Sequence, residues 1–163
     1  MHLTTERLRL TPMTTDDAAW LHELWTLAEV RQYLWDDVII SREQTREILN
    51  QSQQAHQQGQ YGLFAMTTRE EGKPIGFTGY WPFFEPPQIQ LIFGLHPDHW
   101  RKGLVHEAAA AMITYGKDTL GMAVILAATD PPNMASIRVM ERLGMRFTEK
   151  KVQDGKETLF YEI

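Results

Sequence analysis

Residues Ile92 to Glu107 read as a strand that stops before Pro97, a short polar turn, and a helix that opens at Gly103. The first amides of such a helix have no intrahelical acceptor and lie at the positive end of its dipole. That geometry binds phosphate. Arg101 and Lys102 add positive charge, and Gly103 lets a ligand approach the backbone. The stretch lacks the glycine and lysine spacing of a P-loop and the three glycines of a dinucleotide turn, which argues against a kinase or a Rossmann dehydrogenase. On this segment alone, a solvated helix start carrying an Arg-Lys pair is an equal alternative.

The rest of the pattern says what surrounds the turn. Leu3 to Leu10 alternates as a first strand, and Asp16 to Val30 has the spacing of an amphipathic helix. Ser41 and Gln44 form a capping box that opens a second helix, stopped at Gly59. Tyr61 to Thr68 and Pro74 to Trp81 read as a hairpin, and Ile89 to Leu95 as a fourth strand. A helix follows from Gly103 to Leu120, then a wholly apolar strand over Ala123 to Thr129. Asn133 to Leu143 is a last helix before a hairpin across Asp154 and Gly155. Antiparallel hairpins plus one strand-helix-strand crossover predict a single α/β (α+β) domain over residues 1–163, with a mixed, mostly antiparallel seven-stranded sheet and helices on both faces.

Composition narrows the function classes. A chain of 163 residues with 43% hydrophobic and 23% charged residues has a full core for one domain. The net charge of -5 argues against a broad nucleic-acid surface. With no cysteine there is no disulfide, thiol catalysis or thiolate-zinc site. His96, His99 and His106 have no acidic partner at metal-site spacing, so no metal site is expected. The start has no signal-peptide core and no apolar run spans a bilayer, so the expectation is a cytoplasmic protein without membrane contact. Monomer and homodimer both stay open.

Three segments together resemble the GNAT superfamily of N-acetyltransferases. Asn133, Ser136 and Leu143-Gly144-Met145 follow a buried strand as that family's Asn-x-x-Ser…Leu-Gly-apolar motif does. Trp100-Arg101-Lys102-Gly103 is similar to the Trp-Gly-Lys-Gly turn of the RimJ/RimL-like branch, which acetylates protein N-termini. Thr5-Glu6-Arg7-Leu8-Arg9-Leu10 resembles that branch's first strand. The resemblance implies a splayed cleft between the fourth and fifth strands that binds acetyl-CoA as co-substrate, with an amine as acceptor. Phe93, Gly94 and Leu95 would hold the pantetheine arm, with a bulge at Gly94 opening the gap. Trp100, Arg101, Lys102, Gly103, Leu104 and Val105 would cradle the pyrophosphate, Val105 standing where Gly or Ala is usual. Asn133 and Ser136 would reach the pantetheine or the thiol. Tyr33 to Asp37 falls where the family lines its acceptor side.

The chemistry needs a free amine, a stabilised oxyanion and a leaving thiolate. The amide of Leu95 is the candidate oxyanion donor, and Ser136 the candidate proton donor to the thiolate. The family's usual Glu base and Tyr acid fall on Gln90 and Met140, which can do neither job. Glu85 and His96 are the remaining candidate bases. A catalytically weak acyl-CoA-binding sensor is therefore the rival, and a nucleotide-phosphate binder unrelated to CoA a third reading.

Overall fold

The computed structural model describes the whole chain, Met1–Ile163. Its strands are β1 (Leu3–Thr4), β2 (Leu8–Pro12), β3 (Leu63–Thr68), β4 (Pro74–Phe83), β5 (Gln88–Leu95), β6 (Leu126–Thr129), β7 (Arg146–Gln153) and β8 (Lys156–Glu162). Its helices are α1 (Ala18–Thr26), α2 (Ala28–Arg31), α3 (Arg42–Gln57), α4 (Leu104–Asp118) and α5 (Met134–Arg142). The strands form one sheet in the order β1-β2-β3-β4-β5-β6-β8-β7. Only β5 and β6 pair in parallel, across the α4 crossover.

The mixed sheet is the expected one, but it has eight strands rather than seven. Leu3 to Leu10 is not continuous. Thr5, Glu6 and Arg7 interrupt the alternation, the Thr5 amide bonds Leu8 O at 2.9 Å, and β1 folds back on β2 with Leu3 opposite Leu10. The first helix is also divided, because Leu27 is extended (φ -61, ψ 132) between α1 and α2. The capping box of α3 forms as expected, with Gln44 N on Ser41 Oγ at 3.1 Å and Ser41 N on Gln44 Oε1 at 2.7 Å.

Strand alternation sorts the core into two layers. Leu8, Leu10, Phe64, Met66, Leu91 and Leu95 pack on the α4 and α5 face. Leu63, Ala65, Phe77 and Trp81 pack against Leu21, Leu24 and Trp25 of α1 and Leu49 of α3. Helix α4 is fastened by Tyr80, whose hydroxyl donates to Met112 O at 2.6 Å. Burial raises the Tyr80 hydroxyl pKa well above its ordinary value, the nearby Tyr115 adding to it. Gly116 makes the seat, since a Cβ there would overlap the Tyr80 hydroxyl and crowd Ile125.

The seat generates a stability prediction. Gly116→Ala gains helix propensity of about 1 kcal/mol, but overpacking against Tyr80 outweighs it, for a net loss of about 1–2 kcal/mol. Tyr80→Phe alone loses about 1 kcal/mol with its hydrogen bond. In the double variant the overlap with the hydroxyl is gone while that with the ring and Ile125 stays, so urea unfolding should show losses somewhat smaller than the sum of the two.

Candidate active site at the splayed strands

β5 and β6 share one pairing, Gln90 with Leu126, and then part. Each runs into the turn that starts a helix, α4 from β5 and α5 from β6, which holds their ends apart. The β4 ladder continues in register from Gln88 to Leu95. The His96 amide bonds Ile75 O at 2.8 Å, which fixes its phase. Antiparallel alternation then turns the peptide groups of Gly94 toward β4 and those of Phe93 and Leu95 toward the gap. Of the three residues that the resemblance put on the pantetheine arm, Phe93 and Leu95 thus face the gap and Gly94 faces β4. Nor is there a bulge at Gly94, because the ladder is unbroken there. Gly94 is small for another reason: a Cβ would strike the ring of Phe77.

The turn after β5 hangs from two anchors. At one end the Trp100 indole N–H bonds Leu95 O at 2.8 Å. At the other, Arg7 Nη1 bonds Lys102 O at 2.8 Å. Between them Arg101 (φ 63) and Gly103 (φ 75) are both left-handed, a conformation that strains Arg101 and suits glycine. Arg101 thus occupies the left-handed position that glycine holds in the Trp-Gly-Lys-Gly form.

Gly103 caps α4 without any side-chain bond, and the first helical bond is Glu107 N to Gly103 O at 3.1 Å. The amides of Gly103, Leu104, Val105 and His106 have no intrahelical acceptor. Arg101 and Lys102 are exposed beside them, while Leu104 is buried and anchors the first turn. Val105 is partly buried against the core. Open amides, a helix dipole and two cations on one turn are a geometry suited to an anion such as phosphate.

The opposite wall is the start of α5. Asn133 Oδ1 accepts from Ser136 N at 3.3 Å and caps the helix. That bond uses the Ser136 amide and leaves its hydroxyl uncommitted, half-buried at the cleft wall. Gln90 and Met140 are 3% and 1% exposed, so both lie in the core.

On the other face an aromatic row crosses the sheet: Trp25 to Trp35 at 5.1 Å, Trp35 to Phe83 at 6.4 Å, Phe83 to Phe84 at 6.3 Å, Phe84 to Phe160 at 5.5 Å. Because Phe83 ends β4 and Phe160 lies in β8, the row passes over the β5 and β6 junction. Trp35, Asp36 and Asp37 are all left-handed (φ 58, 55 and 60). This loop is tied by Arg31 Nε to Asp37 at 2.9 Å and by Lys156 Nζ to Asp36 at 2.9 Å. Asp130, just past β6, faces Lys156 at 3.9 Å. Burial raises the Asp130 carboxyl pKa, with Lys156 opposing and Asp36 adding to the rise.

Glu85 stands apart. It is exposed in the turn before β5, beyond the Gln90–Leu126 pairing at which the gap ends. His96 caps the turn after β5 by accepting from Asp98 N at 3.2 Å. Sequence reasoning missed Glu107 and Asp130. The signal for Glu107 was three polar residues interrupting an apolar strand, which needed a partner elsewhere. Asp130, ahead of Pro131 and Pro132, carried no local signal of its own. No three of His, Asp and Glu converge on a common point suited to a metal ion, and no helix is long and apolar enough to cross a membrane.

Comparison with known proteins agrees with this geometry. The family model described as Acetyltransferase (GNAT) domain matches residues 7–146. The uncharacterized N-acetyltransferase YnaD of Bacillus subtilis is 27% identical over 160 residues, which covers 96% of this chain and 91% of that one. An acetyltransferase structure from Agrobacterium tumefaciens superposes with a TM-score of 0.84 at 23% identity, covering 100% of this chain and 94% of the other. RimL, a ribosomal alpha-N-protein acetyltransferase in complex with coenzyme A, superposes with a TM-score of 0.82 at 16% identity, covering 100% and 97%. At these identities the two structures establish a shared fold.

The left-handed turn predicts a trade between stability and binding. Arg101→Gly removes strain of roughly 1–2 kcal/mol and gives back part of it as unfolded-chain entropy. Thermal unfolding should show a net gain of about 0.5–1 kcal/mol, while phosphate-bearing ligands bind more weakly for want of the cation.

Proposed function

The chain belongs to the GNAT acetyltransferase family, and from that premise we propose that it moves the acetyl group of acetyl-CoA directly onto a primary amine. It is an acetyl-CoA-dependent acetyltransferase by family; the acceptor class and the residue roles are our reading. The observation that carries them is the alignment of open α4 amides with the gap-facing peptide groups of Phe93 and Leu95. The diphosphate lies on the turn from Trp100 to Val105. The pantetheine arm then runs down the gap as an extra strand, with Asn133 and Ser136 on the far wall. We place the protein in the RimJ/RimL-like branch on the strength of Thr5 to Leu10 and of the Trp100 turn.

The amine approaches from the aromatic face, near Trp35, Asp36 and Asp130. It arrives as ammonium and loses a proton through water. Asp130, with its raised pKa, suits that base role better than the distant Glu85 does. The free amine attacks the thioester carbon. The oxyanion falls to a gap-facing amide, that of Leu95 or that of Phe93 about 7 Å deeper. The adduct nitrogen gives its second proton to water as the C–S bond breaks, and the thiolate takes a proton from the Ser136 hydroxyl, which regains one from solvent.

A second reading is an acyl-CoA sensor without turnover, favoured by the burial of Gln90 and Met140. Free-thiol release from acetyl-CoA against a panel of amines and N-terminal peptides separates the two. Turnover on at least one acceptor is expected, and CoA binding with no turnover on any would favour the sensor. Ser136→Ala should lower kcat at least about tenfold; an unchanged kcat would remove Ser136 from the mechanism.

A further inference from the structure

Glu107 puts a carboxylate in the first turn of α4, the place where an incoming diphosphate needs positive potential. Left free, it would repel the ligand or bond the open amides itself. It is instead turned away and saturated. Its Oε1 accepts from the Thr5 hydroxyl and from the Arg7 amide at 2.7 Å, and its Oε2 accepts from Arg7 Nε at 2.7 Å. Burial alone would raise its pKa, but the Thr5 and Arg7 bonds outweigh that and hold it below the usual carboxylate range.

The same guanidinium reaches the turn. Arg7 Nη1 bonds Lys102 O at 2.8 Å, and a Cβ built on Gly103 would lie 3.5 Å from Arg7 Nη2. In a planar trans peptide the C=O and the following N–H point in opposite directions. Fixing Lys102 O on Arg7 therefore turns the Gly103 amide away from Arg7 and keeps it free for a ligand. One side chain from the loop between β1 and β2 thus neutralises the unwanted carboxylate and sets the orientation of a binding amide.

We propose that Arg7, held by Glu107 and Thr5, is a positioning residue for the pyrophosphate of acetyl-CoA, so that the N-terminal loop controls coenzyme affinity. The proposal rests on reading the α4 turn as the diphosphate site. It makes Arg7 act through the turn and not on the reacting atoms.

The test compares Arg7→Ala, Arg7→Lys and Glu107→Gln with wild type on two donors. One is acetyl-CoA. The other is S-acetylpantetheine, which carries the thioester but no diphosphate. For Arg7→Ala, the loss in kcat/KM on acetyl-CoA should exceed the loss on S-acetylpantetheine by about tenfold, in line with one charge-assisted hydrogen bond. That loss should fall on KM more than on kcat. Arg7→Lys should recover little, because an ammonium cannot span Glu107 and Lys102 O together. If Arg7→Ala does not fold, Glu107→Gln carries the same comparison with a smaller excess, about threefold. Equal losses on the two donors, or none, would overturn the positioning role. A wild-type protein that neither binds CoA nor uses acetyl-CoA would overturn the reading of the turn itself, and this proposal with it.

Discussion

The structure is organised around polar backbone groups that the chain itself does not satisfy. Four amides open α4, and the peptide groups of Phe93 and the amide of Leu95 face a gap in the sheet, the Leu95 carbonyl being taken by the Trp100 indole. Buried or half-buried backbone groups are almost always paired. Here the chain spends structure to keep them unpaired: β6 bridges β5 at one residue pair and is then drawn away toward α5. A diphosphate followed by an amide-bearing arm is the kind of ligand that completes both sets at once.

Holding such a gap open requires stiff surroundings. Tyr80 and Gly116 lock α4 on the sheet, so that its N-terminus keeps a fixed aim. Trp100 and Arg7 pin the two ends of the turn between β5 and α4. On the other face, the row from Trp25 to Phe160 and the Lys156 bridge to Asp36 join parts of the chain on either side of the strand junction. The proposed donor site and acceptor face therefore lie in different layers of one sheet, and they meet where β5 and β6 separate.

Much of this was legible in the sequence because local chemistry dictated it. The Ser41 and Gln44 capping box and the Asp154-Gly155 hairpin each follow from a few neighbouring residues, and so does β6, although it begins at Leu126 rather than Ala123 because Ala123 and Val124 are exposed and unpaired with the sheet. The strand, turn and helix around Gly103 was legible for the same reason. What the sequence hid is nonlocal. Thr5 to Arg7 looked like part of a strand, and only its partner one hundred residues away, Glu107, explains the break. Gly94 looked like a bulge, whereas its smallness answers to the ring of Phe77 on the neighbouring strand. Arg101 gave no sign of its left-handed backbone apart from standing where the related turn has glycine. Glu85 drew notice as a carboxylate near β5, and the pairing of Gln90 with Leu126 stands between it and the gap.

The central claim is that the amides opening α4 hold the coenzyme's diphosphate. Residue-resolved amide hydrogen exchange with and without CoA tests it directly. The account predicts slowed exchange at Gly103, Leu104, Val105 and His106 and at Phe93 and Leu95, with α3 unchanged. Unaltered exchange at Gly103 to His106 under saturating CoA, or protection confined to another surface, would contradict it.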